Sequence, residues 1–292
     1  MKFKNILCAL ICGIFFTAFS SADEITSVND HLKKFSSQFD YLIPNAITQT
    51  NVYADAWIGK FIPSLPMHFA LGVDGGISKF DVSELKEAGD ILHITNMPSS
   101  FMFPTINANA KIGGLFLPFD AGFSVFCFNT KDLKNFFKNI DFEFFTIGGN
   151  IRWALLQGQG LLPKWSVGSG FYYSKGSVGI SNSYSNAKTS YEIKTLIFET
   201  QLSKTIIFFT PFIGFRAIFS DSDVAFGWNH AAGLNGIYSY EQHKTSRMFD
   251  SFIPQIFGGV GLKIGLLELD VNASYDFSNT MWTAGTSLRF QM

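Results

Sequence analysis

The sequence predicts an all-β chain, a closed antiparallel up-and-down transmembrane β-barrel of about 12 strands with a short N-terminal helix. Three observations predict it. Residues Met281 to Met292 alternate without a break. Trp282, Ala284, Thr286, Leu288, Phe290 and Met292 fall on one face, and Thr283, Gly285, Ser287, Arg289 and Gln291 on the other, as side chains do along a strand. Hydrophobic residues make up 47% of the 292 residues and Phe alone contributes 34, yet no later run is clean enough for a membrane helix. Thr205 to Phe219 comes nearest, and Pro211, Gly214 and Arg216 interrupt it. Apolar content without helical spans fits a barrel whose outer face meets lipid. The third observation is a start that reads as a secretion leader.

Lys2 and Lys4 supply a positive start, Ile6 to Ala18 an apolar stretch, and Ser20-Ser21-Ala22 the small residues of a cleavage site. Residues 1–22 are therefore expected to leave as a signal peptide cut before Asp23; the apolar stretch is too short to span a bilayer. Cys8 and Cys12 lie inside the leader, but Leu7 and Ile11 before them are bulky for a lipid-attachment site. Losing two lysines and no acid takes the formal net charge from −1 to −3, which carries no nucleic-acid signature. Cys127 then remains alone, so no intramolecular disulfide can form, and it is expected to pack as a small apolar residue.

Over residues 23–40 the period changes. Ile25, Val28, Leu32, Phe35 and Phe39 recur at helical steps, with Ser27, Asp30, Lys33 and Lys34 on other faces and Pro44 placed to stop the helix. A short periplasmic helix leaning on the barrel end is the expectation; a plug or gate in the lumen is the alternative. Residues 41–292 are assigned to the barrel. Strand patterns cover Asn51–Ile58, Met67–Asp74, Thr105–Ile112, Ala121–Phe128, Phe145–Leu155, Trp165–Tyr173, Lys194–Leu202, Phe208–Ser220, Ile253–Ile264, Leu267–Phe277 and the final segment. That makes eleven; barrels usually have an even number, so a twelfth is expected near Tyr41 to Thr48. Short links near Pro63, Pro118, Pro163, Lys204 and Gly265 alternate with longer polar ones at Asp81–Pro104, Thr130–Asn139, Lys175–Ser190 and Asp221–Asp250, the pattern of periplasmic turns and extracellular loops.

Most ionisable residues within the strands fall on the inferred lumen face: Asp55, Asp74, Lys111, Arg152, Arg216, Lys263, Glu268, Asp270, Asp276 and Arg289. Pointing Lys or Arg into lipid near the midplane would cost about 2–4 kcal/mol. Hairpin geometry at Gly265-Leu266 and Ser278-Asn279 sets Glu268 opposite both Lys263 and Arg289, a row expected to brace the wall.

The terminal Thr283-x-Gly285-x-x-Leu288-x-Phe290 resembles the C-terminal signal recognised by the barrel-assembly machinery, here extended by Gln291-Met292. More of the chain resembles a family of uncharacterised outer-membrane barrels of spirochaetes, treponemes in particular. The matching stretches are Asp55-Ala56-Trp57-Ile58-Gly59-Lys60, Gly148-Gly149-Asn150-Ile151-Arg152-Trp153-Ala154, Leu162-Pro163-Lys164-Trp165-Ser166-Val167-Gly168 with Gly170-Phe171-Tyr172-Tyr173, and Glu192-Ile193-Lys194-Thr195 with Gln201-Leu202-Ser203-Lys204 and Thr210-Pro211-Phe212. The resemblance implies a fold and a location and supplies no activity.

Catalytic chemistry leaves no trace. The five histidines, at 31, 68, 93, 230 and 243, show no metal-ligand spacing. Gly158-Gln159-Gly160 lacks the Lys-Ser/Thr of a phosphate loop, and nothing pairs a Ser with a His. No enzyme activity, metal or cofactor is expected. The function expected from these features is a passive, weakly selective route for small solutes across a bacterial outer membrane. Its partners would be outer-membrane lipid, the barrel-assembly machinery and the solutes in transit, with no nucleic acid. The alternatives are a carrier of hydrophobic molecules with the helix as hatch, and a closed surface barrel acting as adhesin or scaffold through its loops.

Overall fold

The structure, a computed structural model, describes residues 26–49, 51–59, 68–92, 94, 99–114, 117–129, 140–158, 160–181, 185–230, 237–244 and 251–292. The expected leader and cleavage site and the expected Thr130–Asn139 loop lie outside these residues. Helix α1 covers 26–37 and α2 covers Phe39–Gln49. The wall follows as β1 (His68–Asp81), then α3 (Ser83–Ile91), β2 (Ser100–Gly113), β3 (Phe119–Asn129), β4 (Ile140–Gln157), β5 (Lys164–Ser181), β6 (Ser185–Ser203), β7 (Phe209–His230), β8 (Ile237–Lys244), β9 (Ser251–Ile264), β10 (Leu267–Asp276) and β11 (Met281–Gln291).

Neighbouring strands pair antiparallel, and β1 pairs with β11, which closes the sheet. Both β8 and β9 run along β7, Lys244 opposite Asp223 and Ser251 opposite Ser220, so together they form one interrupted strand. The cylinder is therefore ten-stranded, not twelve. The two segments that fail to join it are Asn51–Ile58 and Tyr41–Thr48. The latter lies within α2, and the former is irregular and buried. The wall begins at His68, not near residue 41.

Alternation decides which side of the wall each residue faces. In β10, Leu267, Leu269, Val271, Ala273 and Tyr275 are exposed, while Glu268, Asp270, Asn272, Ser274 and Asp276 are buried. Exposure of the apolar set and burial of the polar set is the reverse of a soluble protein, and it is what a lipid-facing skin requires. On β6 the outward residues Leu196, Phe198, Thr200 and Leu202 end at Lys194, and Glu192 follows beyond it. About nine residues at about 3.3 Å each, tilted by about 40°, give a belt about 23 Å tall, close to a bilayer's hydrocarbon core.

Beyond that belt the wall continues. The stretches expected as the long loops Lys175–Ser190 and Asp221–Asp250 are largely strand, because β5, β6 and β7 run on to Ser181, back from Ser185 and on to His230. Their outward faces carry Lys175, Glu192 and Asp223 in register, charges that stand clear of lipid and so look like loop in sequence. Their inward faces are mainly apolar, with Val178, Ile180, Ala187, Tyr191, Ile193, Val224, Phe226 and Trp228 buried among Thr189 and Ser222.

Candidate functional site

The bore is occupied along its length by the segment spanning residues 26–58. Helix α1 lies at the long-loop end with Val28, Leu32 and Phe35 buried, on the face that its periodicity predicts. Around it and α2 close Phe103, Phe126, Phe142, Phe144, Val178, Tyr191, Phe226 and Trp228 of the wall, and Leu85 and Ala88 of α3. The helix is thus inside the barrel, which corrects the expectation of an element resting against its end. Its apolar stripe packs against the inward faces of the extended strands and α3, while Thr26, Asp30, Lys33, Lys34 and Ser37 on its other side stay exposed. Trp228 Nε1 donates to Asn29 Oδ1 at 2.8 Å, and His31 Nδ1 lies 2.7 Å from Glu84 Oε2 of α3.

Pro44 does not stop the helix. The break falls at Gln38, and α2 runs through Pro44. A proline withholds the amide that would serve the carbonyl four residues earlier. Here that carbonyl, Asp40 O, accepts from Ser220 Oγ of the wall at 2.9 Å. Farther along, Asn45 donates to Asp276 and accepts from Gln255, both at 2.8 Å. Gln49 Oε1 accepts from Ser274 (3.0 Å) and Thr283 (2.6 Å). Two cavities between α2 and the wall measure only about 10 Å³ each, room for one water at most, while a larger one of about 250 Å³ opens at the start of α2, beside Tyr41, Leu42 and the β10–β11 turn.

Below α2 the bore turns from apolar to ionic. Residues 51–58 are all buried. Tyr53 is the centre of this layer: its ring lies 3.8 Å from the Arg289 guanidinium, 4.5 Å from Lys111 Nζ and 5.5 Å from the Arg152 guanidinium, and its hydroxyl donates to Asn109. Cations over an aromatic face are attracted by its quadrupole, more so where water is excluded. Asp55 accepts from Lys164 Nζ at 2.6 Å and Gln291 Nε2 at 2.9 Å.

Each of the wall cations is itself anchored. Arg152 forks onto Asp120, Nε to Oδ1 at 2.9 Å and Nη2 to Oδ2 at 2.7 Å. Lys111 lies 3.5 Å from the same carboxylate. Arg289 bridges Asp74 at 2.8 Å and Asp270. Arg216 pairs with Glu199 at 3.0 Å and lies 3.9 Å over the Phe257 ring. Small residues across the strand make room: a Cβ at Gly72 would meet Arg289 Cγ at 2.4 Å, one at Gly168 would meet Arg152 Cγ at 2.8 Å, and one at Gly122 would meet Lys111 Cε at 2.9 Å.

Of the charges singled out from sequence, Asp74, Lys111, Arg152, Arg216, Glu268, Asp270, Asp276 and Arg289 are buried on the inner face of the wall, and Lys263 is half-buried there. Asp55 is buried too, but it belongs to the inner segment and not to a strand. Glu268 stands opposite Lys263 and Arg289 in the register that the two turns predict, although Arg289 reaches diagonally past it to Asp270 and Asp74. Asp276 works in its own turn, accepting from Ser278 N and Asn279 Nδ2, both at 2.8 Å. The sequence reading missed Asp120 and Glu199. The signal was present for Glu199, which shares a face with Thr195, Ile197 and Gln201; Asp120 precedes a stretch too apolar on both sides to orient. The assembly-signal residues Thr283, Gly285, Leu288 and Phe290 lie on β11, where Leu288 and Phe290 face outward and Thr283 is buried. His68 Nδ1 lies 3.0 Å from Met292 O. Among the described residues no cluster of His, Cys, Asp and Glu could hold a metal.

No protein-family model and no curated protein sequence matches the chain. Solved structures similar to it include the outer-membrane protease OmpT of Escherichia coli (TM-score 0.46, 10% identity, 78% of this chain and 99% of that one). The translocator domain of the autotransporter NalP of Neisseria meningitidis gives a TM-score of 0.40 at 8% identity over 91% and 96%. A major outer membrane protein of Thermus thermophilus gives 0.37 at 10% identity over 76% and 99%.

Proposed function

We propose that this protein is an outer-membrane barrel held shut by its own N-terminal segment, a gated passage for small solutes and not a standing pore. The observation that carries the reading is the filling of the bore by the segment of residues 26–58, apolar against the outer half of the wall and ionic against the inner half. A lipid-facing belt of bilayer height and ends that differ in loop length support the location, with the long-loop end outside. A constant water-filled pore needs an empty polar lumen, and here both layers are packed. Withdrawal of the segment would uncover the charged inner layer, which would hold water and pass small polar solutes.

The test is conductance in planar bilayers. The full chain should give few or no steps, and a variant lacking residues 26–58 should give frequent, discrete ones. Steady conductance of the full chain, or silence of a folded deletion variant, would overturn the reading. The aromatic lining of the outer half favours a second reading, in which a hydrophobic molecule displaces α1. Acyl chains co-purifying with the protein, and lost on Phe142→Asp, would favour it.

A further inference from the structure

We propose that the inner half of the bore is a binding site for a short peptide segment, occupied in this state by the chain's own residues 51–58. The proposal rests on the stopper reading above and adds the ligand class. The wall holds this segment chiefly by its main chain. Five successive carbonyls each accept from a wall side chain: Val52 O from Arg289, Tyr53 O and Ala54 O from Gln201 Nε2 at 2.6 and 3.2 Å, Asp55 O from Arg152 Nη1 at 3.0 Å, and Ala56 O from Ser166 Oγ at 2.6 Å. Two amides donate outward in return, Ala56 N to Ser203 Oγ and Ile58 N to Asp120 Oδ2, both at 2.8 Å.

Bracing of the wall accounts for only part of this. The Arg152–Asp120 fork is complete without the segment, and Arg152 turns its remaining Nη1 to Asp55 O; Arg289 donates to Val52 O from the same Nη2 that bridges Asp74. Groups aimed at carbonyls and amides read features that every peptide carries, so they would accept another chain that follows the same bent course. Two side-chain requirements sit on top: a cation-walled box for an aromatic ring with a hydrogen-bond acceptor at its end, filled by Tyr53, and the Lys164 and Gln291 pair for a carboxylate, filled by Asp55. The ligand class is a peptide of about eight residues bearing aromatic-x-acidic at its centre, threaded along the axis.

The probe is a fluorescently labelled, end-capped peptide of the sequence of residues 51–58, titrated by anisotropy into the variant lacking residues 26–58 and into the full chain. Saturable binding to the deletion variant is expected, with none to the full chain. Replacing the tyrosine and aspartate of the peptide by alanine should weaken binding at least tenfold. Changing the valine and first two alanines to serine should alter it by no more than a few-fold. If the deletion variant does not refold, a full-length variant with 51–58 replaced by a Gly-Ser octet decides the matter and should bind the probe more tightly than the native chain. No binding to either variant, or equal binding of a scrambled peptide, overturns the proposal. The stopper reading fails separately, by the conductance of the same variants measured without peptide.

Discussion

Arg152 and Asp120 are both buried, and the cost of taking such charges out of water is recovered only while both are present. Arg152→Met strands a carboxylate beside Lys111 and should lower stability by about 3–5 kcal/mol. Adding Asp120→Leu together with Lys111→Met should restore most of the loss, since the apolar set avoids the desolvation cost and leaves no buried cation without its carboxylate. Urea midpoints of the detergent-solubilised barrel, read by tryptophan fluorescence, would show both; a triple variant as unstable as the single one would argue against this account. The glycine facing Arg289 offers a sharper contrast. At Gly72 a methyl group would sit 2.4 Å from Arg289 Cγ and 2.9 Å from Leu288 O, whereas at Gly75 the nearest atom is 4.0 Å away. Gly72→Ala should cost about 1–3 kcal/mol through overpacking, and Gly75→Ala should leave the midpoint within about 0.5 kcal/mol of the parent. Equal effects at the two sites would sink the idea that the arginine lies over Gly72.

The helices inside the bore make a prediction of their own. Ser220 serves the carbonyl whose helical donor Pro44 withholds, so Ser220→Ala should deprive Asp40 O of that donor, a penalty of about 1–3 kcal/mol confined to α2. Hydrogen exchange should quicken across residues 39–49 while β10 and β11 keep their protection; uniform quickening would mean that α2 and the wall open as one unit. The same elements show where sequence was readable. Ten of the eleven strand patterns correspond to wall strands, because a residue facing lipid on one side and polar neighbours on the other leaves a period of two. Asn51–Ile58 has that period as well, through Val52, Ala54, Ala56 and Ile58, and is no strand. An irregular segment surrounded on all sides can alternate by chance of its contacts, and nothing in its own residues tells a wall from a thread. The ends of β5, β6 and β7 misled in the opposite direction, since charges above the membrane suggest loops. The helix was legible in its stripe and illegible in its place, because Val28, Leu32 and Phe35 would suit any apolar partner. Legibility therefore stopped where placement depended on the sleeve and the thread being considered together.

Taken as one molecule, the chain has a direction. Residue 26 starts at the long-loop end beside α3, where His31 meets Glu84. Asp40 lies by Ser220 and Ser222, Tyr53 sits among the inner charges, and Asp55 joins Lys164 and Gln291 near the short-turn end, where β1 begins. If the long loops face the exterior, as in outer-membrane barrels, the chain runs inward through its own bore and the residues before 26 begin on the cell surface. An epitope inserted between Asp23 and Thr26 should then be reached by antibody on intact cells, and one in the β4–β5 turn at Gly160 only after the outer membrane is permeabilised. A bore filled by α2 and residues 51–58 cannot admit an antibody from the other side, so the two tags separate the two orientations without depending on conductance. Surface labelling at Gly160 together with silence at the N-terminal tag would reverse the orientation, and with it the assignment of the apolar half of the bore to the outside.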